Sequence, residues 1–243
     1  MADKQETLAR IRAALGRDKT IAPKPLASFT PRAVNATDEE LTSRFCLELE
    51  RVSARVTRIS SADEIKNYLK SLLPKDAPAT VAVSDSRALI DAGLREWLAE
   101  RGANILPTLK EFASSQSPRV NGNNGAELME SYKRELVQAS IGVTSADYGI
   151  ADTGTLVLVS GSEQHRLISL VPPVHVCLLD SKRIVATLHD LITRARAEHY
   201  SNRAPQAMTF ITGPSRTADI ELTLTLGVHG PRELHVLLHS HVQ

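Results

Sequence analysis

The chain is predicted to be an α/β protein: a mostly parallel sheet with crossover helices and an antiparallel excursion. Three observations predict this. Residues 54–106 alternate strand-like and helix-like segments in the order strand, helix, strand, helix, strand, as expected when crossover helices join parallel strands. Ala79 to Val83 is a nearly continuous run of small apolar residues, which suits a strand covered on both faces. Thr155–Val159 and Val174–Leu179 read as strands with little helix between them, which predicts the antiparallel excursion.

The elements follow in order. Leu8, Ile11 and Leu15 recur at helical spacing, so residues 5–15 form a short amphipathic helix ending near Gly16. Residues 16–37 carry Pro23, Pro25 and Pro31 with little periodicity and read as a linker or extended arm. The organisation expected is an N-terminal helix and Pro-containing arm over 1–37, then one α/β domain over 38–243. The first helix either packs back on its own domain or docks on a partner chain. Asp38–Val52 places Leu41, Phe45, Leu49 and Val52 on one stripe, and Ala54–Ile59 alternates as a strand. Ser61-Ala-Asp-Glu64 has the form of a capping box, and its helix runs to Leu73. Ser86–Glu100 reads as one helix, Asn104–Leu106 as a short strand and Ala126–Ala139 as a helix. Residues 113–125 read as an irregular loop. Its Asn121-Gly-Asn-Asn-Gly125 is no phosphate loop, because the glycine spacing is wrong and no lysine follows. Ile141–Val143, Thr209–Thr212 and Leu234–Leu238 are further strands, and Ile184–Tyr200 includes a helix.

Composition narrows the function. With 29 basic and 28 acidic residues, the chain lacks the positive surplus that coating nucleic acid demands. Cys46 and Cys177 are its only cysteines, both in apolar settings and without a CxxC partner. They read as buried thiols and cannot supply the four thiolates an iron–sulfur cluster usually needs. Residues 1–7 lack an apolar stretch and no run reaches membrane-spanning length, so a cytoplasmic protein without a membrane span is expected.

Four constellations could carry chemistry. In Thr144-Ser-Ala-Asp-Tyr-Gly-Ile-Ala-Asp-Thr-Gly-Thr155, Asp147 and Asp152 suit acid/base work, and Thr153, Gly154 and Thr155 offer donors to an anion; the plain alternative is a tight turn between strands. In Thr212-Gly-Pro-Ser-Arg-Thr-Ala-Asp-Ile-Glu221, a strand runs into Gly213, Pro214 and Ser215 and then a helical turn. Ligands gather at the carboxyl ends of parallel strands. Free N–H groups there, with Arg216 and Thr217, would cradle a phosphate or carboxylate. Alternatively Asp219 and Glu221 cap the helix and pair with Arg216. In Gly227-Val-His-Gly-Pro-Arg232, His229 beside Gly230 is a candidate general base or ligand donor, or an exposed turn histidine. The tail histidines His235, His239 and His241 lack acidic or cysteine companions, which weakens a metal reading. Elsewhere, Glu163 near a strand end is a further candidate carboxylate. His175, in Val-His-Val, reads as a satisfied core side chain. No GxSxG elbow or HExxH helix is present.

The first three segments, in that order, resemble the LUD domain of lactate utilisation proteins, and with a helix like Ile11-Arg-Ala-Ala-Leu-Gly16 the chain is similar to the stand-alone lactate utilisation protein C (LutC/YkgG) family. The resemblance covers nearly the whole chain. It implies a fold similar to the ribose-5-phosphate isomerase, glucosamine-6-phosphate isomerase and CoA-transferase group. It also implies a part in oxidising L-lactate to pyruvate beside companion proteins that carry the iron–sulfur clusters, with no cofactor bound by this chain. Fold does not transfer function, so three readings stay open: a cluster-free accessory subunit of a lactate-oxidising complex; an independent enzyme on a small anionic, phosphorylated or acyl-CoA substrate; and a binding-only sensor of a carboxylate. All three expect Asp152, Arg216 and His229 to converge on one rim of the sheet around an anion.

Overall fold

The computed structural model describes residues 4–14, 36–74, 77–115, 125–161, 166–199, 207–218, 224–226 and 230–240. The chain divides into two units, residues 1–33 and 34–243. The first holds α1 (Lys4–Ala14), where Glu6 and Arg10 pair across one turn at 3.6 Å, both exposed.

The second unit opens with α2 (Asp38–Arg51), β1 (Arg55–Ile59), α3 (Ala62–Leu72), β2 (Thr80–Val83), α4 (Arg87–Asp91), α5 (Leu94–Ala99), β3 (Asn104–Ile105), α6 (Leu109–Ser115) and α7 (Gly125–Val137). It continues with β4 (Ile141–Ser145), β5 (Tyr148–Ile150), β6 (Thr155–Ser160), β7 (Val174–Asp180), β8 (Ile184–Val185), α8 (Leu188–His199), β9 (Ala207–Ile211), β10 (Arg216–Ala218), β11 (Leu224–Leu226) and β12 (Glu233–His239). Side-chain caps explain where several helices start. Thr37 Oγ1 accepts from Glu40 N while the Glu40 carboxylate accepts from Thr37 N at 2.7 Å, a complete capping box. At α3, Ser61 accepts from Glu64 N, but Glu64 reaches back to Ser60 rather than to Ser61.

Among the described residues, six strands form one parallel sheet in the order β1-β12-β7-β4-β2-β3. Along β7, successive side chains feed opposite cores: Val176 and Leu178 face one, Cys177 and Leu179 the other. Both are buried, which is why this strand reads as a continuous apolar run. On one face α3, α4 and α5 contribute Ile65, Leu69, Leu89, Leu94 and Leu98. On the other, Phe45 and Leu49 of α2 pack with Leu156 and Leu158 of β6.

The antiparallel excursion is a second sheet rather than part of the first. Its order is β8-β5-β6-β9, with β6 antiparallel to both β5 and β9, and β5 parallel to β8. β10 and β11 form a separate antiparallel pair. Other differences from the sequence reading have local causes. The helix expected over 86–100 is broken into α4 and α5 at Gly93. Ser114 and Ser115, expected in a loop, end α6. That helix starts at a capping box in which Thr108 Oγ1 accepts from Glu111 N and the Glu111 carboxylate from Thr108 N, and Phe112 anchors it in the core. The helical turn expected after Ser215 is strand β10. No helix among the described residues is long and apolar enough to cross a membrane.

Candidate functional site

The turn between β5 and β6 packs directly on α2. Gly154 has φ +57°, and a Cβ there would lie 2.5 Å from Leu49 N; only glycine fits both the backbone conformation and the approach. Asp152 pairs with Arg44 at 3.0 Å, both partly exposed. Asp147 accepts from Val159 N at 2.7 Å through its carboxylate, and its carbonyl accepts from Arg183 Nε at 2.9 Å. These contacts hold the segment to β6 and to the Ser181–Arg183 turn.

A partly exposed ion network around the buried Tyr148 supports the same segment. Tyr148 is fully buried and donates to Glu198 at 2.6 Å, while Arg183 and Arg194 also bond that carboxylate. Burial, with the bond to Glu198, pushes the Tyr148 phenol up to about 12. Burial alone would raise Glu198, but the bonds from Arg183, Tyr148 and Arg194 outweigh it and hold the carboxyl at about 2.

Beyond this joint lies a cavity of ≈ 200 Å³. Two turns close it. Ser215 N donates to Pro231 O at 2.8 Å, and a Cβ on Gly230 would stand 3.0 Å from Ser215 Cβ, so the 213–215 and 230–231 turns touch. Gly213, Ser215 and Gly230 thus line one space, with Pro214 in the same turn. Thr212 joins them and ends a row of hydroxyls: Thr153 to Thr155 at 2.7 Å, Thr155 to Thr212 at 2.8 Å. Leu170 and Phe210, both partly exposed, border the cavity.

Several expected residues are elsewhere. Asp147, Asp152 and Arg216 are not among the lining residues. Arg216 Nη2 donates to Val52 O and Ser53 Oγ, both at 2.7 Å, so its charge is directed at the carbonyls ending α2. Asp152 and Arg216 are each engaged by their own neighbours, Arg44 and the end of α2. Thr217 pairs with Thr225 in the β10–β11 ladder. Glu163 and His229, with His165, Asp219, Glu221 and His241, lie outside the described residues. The cavity is also at the amino-terminal ends of the parallel strands, since His175 and Leu234 are the second residues of β7 and β12. The carboxyl-end expectation misses it because the Gly213 turn leaves β9, which belongs to the other sheet.

The residue that sequence reasoning undervalued is His175. It pairs with Gly142 of β4 and Leu234 of β12, is fully buried and lines the cavity. Nε2 lies 2.8 Å from Thr144 Oγ1. Nδ1 is buried and has no hydrogen-bond partner among the described residues. Burial, with the nearby His235, holds the imidazole down at about 3, so it is neutral near pH 7. The hint available in the sequence was a histidine inside a continuous apolar strand, which must find partners for two ring nitrogens. Locating Thr144 as one of them requires the β4–β7 register. The described lining residues carry no charged side chain. Among the described residues no group of three or more His, Cys, Asp or Glu is placed to hold a metal ion.

Comparison with known proteins places this architecture. The LUD domain family matches residues 42–239. Lactate utilization protein C of Anoxybacillus flavithermus is 27% identical over 228 residues, covering 92% of this chain and 93% of that protein. Lactate utilization protein C of an Exiguobacterium species is 29% identical over 252 residues, covering 98% and 96%. An uncharacterized protein of Neisseria meningitidis serogroup B is 42% identical over 110 residues, covering 45% of this chain and 46% of that protein. The crystal structure of a DUF162 family protein from Deinococcus radiodurans matches with a TM-score of 0.55 at 20% identity, covering 84% of this chain and 99% of that one; at that identity the likeness speaks for the fold. The chain belongs to the LUD domain family.

Proposed function

We propose that this LUD-domain chain is a subunit of a cytoplasmic L-lactate utilisation system, serving the oxidation of L-lactate to pyruvate without an iron–sulfur cluster of its own. Relatives named lactate utilization protein C, aligned over more than 90% of both chains, support the metabolic role. The oxidation releases two electrons and two protons. The electrons pass to iron–sulfur clusters on partner proteins and the protons to solvent. This chain's two cysteines, one buried and one half-buried, fall short of the usual cluster ligand set.

The observation that carries a ligand-binding role is the cavity where the Gly213–Ser215 and Gly230–Pro231 turns meet, lined by Thr212, Ser215 and the buried His175. Thr212 and Ser215 bring hydroxyls to it that would bond a small hydroxy acid. The rival reading, an independent enzyme on a phosphorylated or acyl-CoA anion, relied on Arg216, whose guanidinium is bonded to Val52 and Ser53.

Growth tests the proposal. A strain lacking every copy of this gene is expected to lose growth on L-lactate as sole carbon source while growing normally on glucose, and to recover with the wild-type gene. Chain captured from lactate-grown cells is expected to bring iron and acid-labile sulfide with it, whereas the chain purified alone carries neither. Undiminished growth of the deletion strain on L-lactate would overturn the assignment.

A further inference from the structure

We infer that the cavity between the Gly213–Ser215 and Gly230–Pro231 turns is shaped for a 2-hydroxy acid larger than L-lactate, its branched aliphatic or aromatic side chain seated inward, its hydroxyl on Ser215 and its carboxylate left at the open side. The inference rests on the ligand-binding reading above and adds which class of 2-hydroxy acid the site takes.

Size comes first. The cavity holds ≈ 200 Å³, and a dry cavity of about 150 Å³ walled by aliphatic and aromatic side chains accepts a benzene molecule. L-lactate would bring only a methyl group to it and leave most of the space to water. The walls match a larger apolar group. Leu170, Phe210, Ile211, Pro231 and Leu234 are all apolar. Leu234 is buried, whereas Leu170 and Phe210 are 37% and 46% exposed and mark the open side. A ligand group lying against them would take their surface from water, a gain that grows with each carbon buried.

The polar atoms set the ligand's direction. Ser169 Oγ donates to Arg166 O at 2.8 Å, and Thr212 shares its hydroxyl with Thr155 at 2.8 Å. Ser215 is fixed by its backbone, N donating to Pro231 O, while its hydroxyl has no partner among the described residues. A serine hydroxyl both donates and accepts, which suits the hydroxyl of a 2-hydroxy acid. The described lining residues carry no charge, since burial keeps His175 neutral near pH 7. A carboxylate drawn in among them would lose its water without gaining a cation, which is strongly unfavourable. The charged end therefore stays where Leu170 and Phe210 meet solvent, and the side chain points inward. Mostly apolar walls with a few placed polar groups are the usual form of a small-molecule site.

Titration of the full chain with L-lactate, L-2-hydroxybutanoate and L-2-hydroxy-4-methylpentanoate tests this. Affinity is expected to rise about fourfold for each added carbon, and the methyl NMR signals of Leu170, Ile211 and Leu234 are expected to shift on binding. Phe210→Ser, at a partly exposed position, is expected to flatten the rise with the fold intact by circular dichroism. Ser215→Ala is expected to weaken every acid about five- to tenfold and to leave the rise unchanged. Equal affinities, tightest binding by L-lactate, a rise untouched by Phe210→Ser, full affinity in Ser215→Ala, binding that leaves those methyl signals unmoved, or no binding at all overturns the inference. The two readings fail separately. If only L-lactate binds, the inference falls and the lactate role stands; if the longer acids bind as expected but the deletion strain grows undiminished on L-lactate, the lactate role falls and the inference stands.

Discussion

Two glycine-bearing regions look alike in sequence and differ in kind. The segment from Asp147 to Thr155 is dense in small polar residues, yet its carboxylates and glycine are turned to structural use: Asp147 holds β6, Asp152 meets Arg44, and Gly154 admits the backbone of α2. The paired turns at Gly213–Ser215 and Gly230–Pro231 are bonded to each other and enclose a space beside the buried His175, whose Nδ1 has no partner among the described residues. A joint and a binding site draw on the same residue types. What separates them is whether the polar atoms are already satisfied, and this depends on contacts between residues remote in sequence.

The contrast can be broken at its strongest point first. Gly154→Ala forces a Cβ against Leu49 N in a left-handed backbone and is expected to lower stability by about 2–5 kcal/mol, read by urea denaturation; an unchanged midpoint would show that this turn does not seat on α2. Acid comes next. The folded-state pKa of His175 is depressed from 6.5 to about 3, so between those values the unfolded chain binds a proton that the folded one refuses. Its contribution is complete above 6.5 and declines as pH falls toward about 3. Glu198, held at about 2 against an ordinary 4.5, contributes fully above 4.5 and loses its share as pH falls through about 2. Stability–pH curves are therefore expected to slope from near 6.5 in the wild type. The part of that slope between about 3 and 6.5 that comes from His175 should be missing in His175→Gln, and persistence of the full wild-type slope in that variant would refute the assignment.

Smaller effects sharpen the comparison. Tyr148→Phe removes a buried donor to Glu198 and is expected to cost about 1–2 kcal/mol, seen as a lower melting temperature, with L-lactate affinity unchanged. Asp152→Asn removes a partly exposed pair with Arg44 and is expected to cost under about 1 kcal/mol and to leave ligand affinity as it was. A large loss of affinity in Asp152→Asn would return this turn to the binding site.

The parallel core was legible because its strands are covered on both faces: Ala79–Val83 and Val174–Leu179 read as apolar runs and sit where expected in β2 and β7. The division into two sheets was not legible, since it depends on pairings such as Leu156 with Ile211, which no local pattern encodes. Helix α6 was missed although Thr108-Leu-Lys-Glu111 is a capping box, because the serines after Phe112 suggested a loop. At the site, the turns around Gly213 and Gly230 stood out for their glycines. His175 did not, because its significance lies in a nitrogen without a partner, and that is visible only once its neighbours are in place.

One feature of the main sheet bears on how the molecule comes into being. Among the described residues β1 has a single strand neighbour, β12, with Arg55 beside His235, so an early segment must wait for nearly all the remaining domain to leave the ribosome before it gains that hydrogen-bonded companion. Such distant closure slows folding. A nascent chain stalled just before Glu233 is therefore expected to remain protease-sensitive over residues 36–59, and to become resistant abruptly once the closing strand emerges.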